Sequence, residues 1–469
     1  MKSQIRRIFL FFTTFIIIID AITFSGFLND FSWSGTIPAV LIYWIIPVIF
    51  ITSLQLYGRK FLASNRPGFF AGFYVFAGYF LAFYIPKLFY TVFILTEYTL
   101  KIIAYPVTRI FSNFLNANFP FGEFMIGGPL NFISLIVLPL SLLSFIVILA
   151  GMAFGRFNFK VRHMGIDSPY LPSHFDGFKL IQISDLHLGS LYGHEDKILK
   201  VVDLINRESP DIIVFTGDLV NNLAAEAEGW TEILNKMKSR YGNFSILGNH
   251  DYGEYYNWPS EKARQENMND LLAVHKDSGF TVLLNQSARI SLNGQNEATV
   301  NGIITGNLQE IPSREADDAE GNEQVPSQKS NDDKGDQQNS NQEIFIAGVE
   351  NWGLPPFKQY GDLKKALKDI PEKAYTILLS HDPSHWDAEV LNKSTVNLTL
   401  SGHTHGMQFG IRTKKFKWSP VQMKYPRWIG LYQQGYRYLH VNPGLGYIGY
   451  AGRIWIPPEI SVITLKKTT

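Results

Sequence analysis

Apolar and polar positions divide this chain into two halves. Up to about Gly155 the sequence runs in long apolar stretches with few charges, and beyond it an ordinary globular mixture takes over. A helix needs roughly 20 apolar residues to cross a hydrocarbon layer. The segments Ile8–Phe24, Ile37–Leu54, Phe69–Leu95 and Leu130–Phe154 have that character. Asp20 is the one charge inside the first, and Pro86 followed by Lys87 argues for a kink or a split in the third. Tyr98–Leu115 interleaves aromatic and basic residues, which suits a helix along the interface or one within the bundle.

From Phe178 onward short β-branched runs alternate with helical patterns, the sign of a layered α/β domain. Strands are predicted at Phe178–Ser184, Asp211–Thr216, Asn243–Leu247, Thr281–Asn285, Ala298–Ile304, Ile344–Val349, Tyr375–Ser380, Val396–Ser401 and Tyr436–Val441. Helices are predicted at Asp196–Asn206 and Ala224–Met237. The stretch 307–343 is rich in Glu, Asp, Asn, Gln, Ser and Lys. It is expected to be a disordered insertion, because it cannot bury enough apolar surface to offset the entropy of ordering. It interrupts two strands, Ala298–Ile304 and Ile344–Val349, that are expected to be neighbours in one sheet. The expected domains are therefore a helical membrane region over 1–155, a linker over 156–177, and a globular domain over 178–469 carrying that insertion.

Charge distribution adds orientation. Lys2, Arg6 and Arg7 precede the first span, Arg59, Lys60 and Arg66 lie between the second and third, and Arg156, Lys160 and Arg162 follow the fourth. Positive residues favour the cytoplasmic side, so both the N-terminus and the globular domain are expected there, in the inner membrane. A cleaved signal peptide over residues 1–25 is the lesser reading, since further spans follow and no small-residue cleavage site is evident. Net charge is +1, from 42 basic and 41 acidic residues, and gives no reason to expect a nucleic-acid partner. The absence of cysteine excludes disulfides, thiolate metal sites and cysteine nucleophiles, so any metal must be held by oxygen and nitrogen.

Five short blocks carry candidate chemistry, each directly after a predicted strand: Asp185-Leu186-His187, Gly217-Asp218-Leu219-Val220-Asn221, Gly248-Asn249-His250-Asp251, His381-Asp382-Pro383 and Gly402-His403-Thr404-His405-Gly406. Strand ends in layered α/β domains converge on one edge, where loops build sites. Taken singly each block reads as a turn, and His163, His174, His194, His275 and His440 read as core or solvated histidines. His385, four residues after His381, lacks the companion pattern of a helical zinc site.

In this order the blocks resemble the calcineurin-like metallophosphoesterase superfamily, whose pattern runs D-x-H, G-D-x-x-D/N, G-N-H-D/E, H and G-H-x-H. The apolar first half, with Asn442-Pro443-Gly444-Leu445-Gly446 and Pro457-Pro458-Glu459-Ile460, further resembles the bacterial branch of transmembrane proteins with a metallophosphoesterase domain. The resemblance implies a four-layer α/β/β/α sandwich and two divalent ions, manganese, iron or zinc. It assigns Asp185, His187 and His405 to one ion, Asn249, His381 and His403 to the other, and Asp218 to both. It implies a metal-activated water as nucleophile, His250 as general acid, and Asn249 with His250 at the substrate. Many members carry Asp and Arg where this chain has Asn221 and Asn222. Asn221 can orient His250 but not by charge, and Asp251 is the candidate to substitute. Arg453, among glycines and aromatics, is a candidate phosphate or head-group contact, and Phe416–Tyr432 could meet the membrane or cap the cleft.

The implied function is hydrolysis of phosphodiester or pyrophosphate bonds at the bilayer, with a lipid-linked substrate such as UDP-2,3-diacylglucosamine of lipid A biosynthesis. The competing readings are a non-catalytic metal-binding sensor or scaffold, and a nuclease.

Overall fold

The computed structural model describes residues 2–30, 32–61, 69–114, 132–292, 298–301, 343–413 and 415–468. The chain divides into two compact units: Met1–Arg156 with Gly449–Ile454, and Phe157–Ile448 with Trp455–Thr469.

The first unit consists of α1 (Lys2–Asp30), α2 (Ile37–Phe61), α3 (Phe69–Phe114) and α4 (Phe132–Ala153). Among the described residues these four are long and apolar enough to cross a membrane. Pro86 and Pro106 lie inside α3, which runs unbroken through Tyr98–Phe114, so that segment is the continuation of the third span rather than a separate helix. At 1.5 Å per residue, 46 residues reach about 69 Å, well beyond the hydrocarbon thickness of ~30 Å. Lys87 is accommodated because its ammonium sits 2.5 Å from the buried carboxylate of Asp20, which also accepts from the Tyr84 hydroxyl at 2.7 Å. A charge in hydrocarbon is tolerated when it is paired in this way. The apolar core joins Ile16, Ile19, Phe50 and Tyr84 from three helices. Gly449–Ile454 packs in this unit, with the Tyr450 hydroxyl donating to the Ile148 carbonyl at 2.7 Å and Ile454 against Ala82 and Ile148.

The second unit is a four-layer α/β/β/α sandwich. In chain order its strands are β1 (Lys160–Ser168), β2 (Lys179–Ile183), β3 (Ile212–Phe215), β4 (Asn243–Ser245), β5 (Phe280–Val282), β6 (Gln286–Leu292), β7 (Ala298–Asn301), β8 (Glu343–Gly348), β9 (Tyr375–Leu379), β10 (Leu398–Ser401), β11 (Ile411–Arg412), β12 (Lys417–Trp418), β13 (Gly430–Gln434), β14 (Arg437–Val441) and β15 (Glu459–Lys467). One sheet has the order β1-β15-β2-β3-β4-β5 and the other β13-β14-β10-β9-β8-β6-β7, with β11 and β12 forming a separate ribbon. Leu180, Ile212, Val214 and Phe244 of the first sheet meet Ile290, Ile346, Ile377 and Leu400 of the second in one buried core. Strands buried on both faces read as continuous apolar runs, as Ile212–Phe215 does. The helix α5 (Glu195–Arg207) buries Ile198, Val201, Val202 and Ile205, a spacing that puts all four on one helical face. The second sheet buries Ala347, Leu378 and Val441 on its other face, against Leu363, Ala366 and Trp386.

Three expectations are corrected. Residues 156–177, expected as a linker, contain β1, which pairs in parallel with β15 from Lys160↔Glu459 to Ser168↔Lys467. Its pattern of half-exposed positions is that of an edge strand and lacks the apolar run of the inner strands. The strands at Ala298 and Ile344 share a sheet but are not neighbours, because β6 pairs with both. The predicted helix Ala224–Met237 is two short turns, Ala224–Ala227 and Thr231–Leu234, interrupted at Gly229. The insertion expected at 307–343 lies, apart from Glu343, outside the described residues.

His275, on α6 (Glu261–Asp277), is a core histidine, and burial pushes it down from its ordinary value to about 4. Unfolded chains take up the proton near pH 6.5, so between pH 6.5 and 4 the unfolded state binds more protons and stability falls as pH falls. The loss should approach ~3 kcal/mol at about 1.4 kcal/mol per pH unit. Denaturant titrations at pH 6.5 and pH 4.5 should differ less for His275→Leu than for the parent; an equal difference would clear His275 of this role.

Candidate metal centre

Parallel strands β2, β3 and β4 of one sheet and β9 and β10 of the other end in the loops that hold the five blocks. These loops bring Asp185, His187 and His405 into one group, and Asp218, His381 and His403 into a second; within each, the candidate ligand atoms lie within 4.8 Å of one another. Nε2 of His187 stands 3.1 Å from Nε2 of His405, which is 3.3 Å from Oδ1 of Asp185. In the other group Nδ1 of His403 lies 2.8 Å from Oδ1 of Asn249 and 3.3 Å from Nε2 of His381. Asp218 faces both: its Oδ2 is 3.1 Å from Nε2 of His381 and 3.7 Å from Nε2 of His187.

The backbone is bent to achieve this. Asp185, His187, Asp218, His403 and His405 have φ of 51°, 48°, 59°, 70° and 48°. The left-handed region is sparsely used by residues with a Cβ, and such strain collects at functional sites. Glycine permits the close approach: a Cβ on Gly248 would lie 2.2 Å from Oδ1 of Asp218, and one on Gly402 would lie 2.3 Å from Oδ2 of Asp185.

Electrostatics follows from burial and proximity. Burial pushes Asp185 up to about 7, His187 down to about 3 and His403 down to about 4. Burial alone would lower His381 and raise Asp218, but their mutual attraction prevails, drawing His381 up to about 10 and holding Asp218 well below the usual carboxylate range. The donor set suits cations. Facing imidazole nitrogens at 3.1 Å repel through their lone pairs unless a proton or a cation lies between them, and the field that draws a proton to Nε2 of His381 also draws a metal ion. All the donors are nitrogen or oxygen, as manganese, iron or zinc would accept.

His250 has Nδ1 2.8 Å from the main-chain carbonyl of Asn221. The hydrogen bond expected from the Asn221 side chain thus comes from its backbone; the side-chain amide pairs with Ser190 Oγ at 3.0 Å. Since a carbonyl only accepts, Nδ1 carries hydrogen and Nε2 is left to face outward reactions. Asp251 does not reach His250 in this network. Its carboxylate accepts the N–H groups of Asp218, Leu219, Val220 and Gly248 at 2.8, 2.8, 3.2 and 2.9 Å. Asp251→Ala would orphan these buried donors at ~1–3 kcal/mol each, so chemical denaturation should reveal a loss of several kcal/mol. A loss below about 1 kcal/mol would show that the loop relaxes to other partners. Arg453 is buried in the first unit, where its main-chain N–H donates to the Gly151 carbonyl at 3.1 Å. His385 lies beside Ser380 and Glu389, its Nδ1 2.9 Å from Ser380 Oγ, and stacks on Trp352.

Several neighbours had no role at the level of sequence. The Tyr425 hydroxyl is 2.9 Å from Nε2 of His403, and Tyr255 accepts from the Asn249 amide at 2.9 Å. Asp382 approaches Nε2 of His403 to 3.6 Å. Glu226 accepts from the backbone of Asn221, Asn222 and Leu223. The Asn442-Pro443-Gly444-Leu445-Gly446 motif supports Asp185, whose carbonyl accepts from the Gly446 N–H at 2.8 Å. That motif and Asp382, both adjacent to the blocks or to a strand end, carried the only usable signal. A cavity of about 170 Å³ opens beside Asn249, lined by Tyr252, Tyr255, Asn351, Phe357 and Lys358.

Comparison with known proteins agrees with this geometry. Residues 178–407 match the family described as calcineurin-like phosphoesterase. The chain is 31% identical over 339 residues to the "Uncharacterized metallophosphoesterase YkuE" of Bacillus subtilis, covering 68% of this chain and 92% of that one. It is 29% identical over 321 residues to the "UDP-2,3-diacylglucosamine pyrophosphatase LpxG" of Chlamydia trachomatis, covering 65% and 88%. It is 26% identical over 310 residues to a "Transmembrane protein with metallophosphoesterase domain" of Danio rerio, where 66% of this chain spans 57% of that protein. Two sheets whose strand ends gather the D-x-H, G-D, G-N-H-D, H and G-H-x-H blocks, in a chain matched along nearly the whole of a metallophosphoesterase, make it a hydrolase of the calcineurin-like phosphoesterase family.

Proposed function

We propose that this chain is a membrane-anchored, dinuclear metal-dependent phosphoesterase that hydrolyses phosphodiester or pyrophosphate bonds of a lipid-linked substrate. The observation that carries the reading is the position of Asp218, whose carboxylate faces both ligand groups at 3.1 and 3.7 Å. Asp185, His187 and His405 would hold one cation, Asn249, His381 and His403 the other, and Asp218 both, since a carboxylate has two oxygens. Cations held there would supply Lewis-acid polarisation of the phosphoryl group and a water whose pKa is lowered from about 15.7 towards roughly 7.

The chain's own groups do the rest. His250, oriented through Nδ1 by the Asn221 carbonyl, presents Nε2 to the leaving oxygen and donates its proton there. The partner behind the ring is a neutral main-chain carbonyl rather than a carboxylate. Good leaving groups, pyrophosphates among them, are therefore favoured. Tyr255 and Tyr425 hold Asn249 and His403 in place. The cavity of about 170 Å³ is below the roughly 300–1,000 Å³ of a full ligand site, so it accepts part of a head group rather than a whole lipid.

A lipid-linked substrate, with UDP-2,3-diacylglucosamine of lipid A biosynthesis as the first choice, is supported by the four apolar helices and by the name of the Chlamydia trachomatis relative. The distribution of Lys and Arg supports placing the hydrolase domain on the cytoplasmic face of the inner membrane. Full-length protein, stripped with chelator and reloaded with manganese, iron or zinc, should hydrolyse UDP-2,3-diacylglucosamine in preference to soluble nucleotides. It should hold two metal ions per chain by elemental analysis. Preference for soluble nucleotides rejects the lipid-linked substrate, and metal-independent turnover rejects the dinuclear centre.

A further inference from the structure

Directly after His405 the chain leaves the second sheet and builds a small projection before returning at β13. Its centre is the β11–β12 ribbon, with Ile411 opposite Trp418 and Arg412 opposite Lys417, followed by a turn at Pro420–Met423 capped by Ser419. The projection is fastened to the metal-ligand loop. Ser419 Oγ donates to the Gly406 carbonyl at 3.0 Å, and Thr404 Oγ1 donates to the Trp428 carbonyl at 2.7 Å. Tyr425, on the same segment, touches His403.

Its outer surface is apolar where a soluble domain would be polar. Met423 is 91% exposed, Met407 57% and Phe416 55%, with Ile411 and Trp418 exposed beside them. Met407 also adopts a left-handed φ of 53°, so an apolar side chain is held outward at the expense of backbone strain. Charge sets this surface apart from the rest of the chain. Residues 409–427 contain Arg412, Lys414, Lys415, Lys417, Lys424 and Arg427 without one acidic residue, against 42 basic and 41 acidic residues overall. Arg412 pairs with Glu459 and Arg427 with Asp387, while the Lys424 ammonium lies over the rings of Phe357 and Tyr425.

Exposed aromatic and methionine tips flanked by lysines are the composition of an interfacial anchor. The apolar tips enter the acyl boundary while the long lysine stems lift their charges to lipid phosphates. A second copy of the chain fits less well, because it would oppose two basic surfaces. A bare polyphosphate leaves the methionine and phenylalanine tips unused. We propose that the 407–424 projection docks on the surface of an anionic bilayer, with Met407, Phe416 and Met423 at the acyl boundary and Lys415 and Lys424 on lipid phosphates, while Lys417 stays on the Ile429 carbonyl. Docking sets the fastened His403–His405 loop beside the lipid surface, whatever bond the site cleaves.

The absence of cysteine makes the test direct. Met423→Cys, Phe416→Cys and, as a control, Lys262→Cys on the exposed face of α6 are labelled with an environment-sensitive fluorophore in the full-length protein. Each is then reconstituted into nanodiscs of phosphatidylcholine, with or without phosphatidylglycerol and a spin-labelled quencher lipid. Labels at 423 and 416 should shift to the blue and be quenched several-fold more than the label at 262. The quenching should strengthen with phosphatidylglycerol and weaken when Lys415→Glu and Lys424→Glu are added. Equal quenching at all three sites overturns the proposal, as does quenching indifferent to lipid charge or label self-quenching that rises with the number of chains per disc. Because the readout is lipid contact, it stands apart from any failure of turnover.

Discussion

Asp218→Asn is expected to lower kcat/KM for phosphodiester hydrolysis on the order of a thousandfold, about 4 kcal/mol of barrier. The substitution is nearly isosteric, and the amide oxygen can still accept the N–H of His250, a bond of 2.8 Å in the parent, so the loop should keep its shape. What is removed is the negative charge that faces His187 and His381 and that would ligate both cations. Elemental analysis should then find fewer than two ions per chain, with the circular dichroism spectrum unchanged. Activity kept within about tenfold of the parent would mean that the two ligand groups work without a shared carboxylate.

His250→Ala should separate substrates by leaving group. General acid catalysis contributes typically 10²–10⁴-fold, and only where the departing oxygen needs a proton. Hydrolysis of an alkyl phosphodiester should fall within about that range, whereas a nitrophenyl ester, whose leaving anion is already stable, should lose little. Equal losses on both would make His250 a residue for binding or packing. The short tie from Nδ1 to the Asn221 carbonyl bears on the same experiment. Because the main chain orients the ring, Asn221→Ala should keep most of the activity that His250→Ala removes.

The two halves of the molecule were legible for different reasons. Membrane helices announce themselves through composition, because hydrocarbon demands about 20 apolar residues whatever the tertiary packing. The loop blocks were legible because metal-ligating chemistry needs Asp, His and Asn beside glycines over two to five residues, a local constraint. What lay beyond reach was long-range. β1 pairs with β15 across almost 300 residues, and nothing in Lys160–Ser168 names its partner. β6 separates two strands that the interrupting insertion had suggested were neighbours.

The amino-acid sequence by itself determined the family, the order of the five candidate blocks and the four apolar segments, since each depends on residue type and spacing along one stretch of chain. Tertiary structure alone decided which atoms meet. It assigned the His250 partner to a backbone carbonyl, gave Asp251 to four N–H groups, brought Tyr425 to His403 and Tyr255 to Asn249, and took Arg453 into the helical unit. Hydrogen bonds are made over about 3 Å between groups that are often tens of residues apart, as Asp251 and Asp218 are, and only the folded backbone sets those distances.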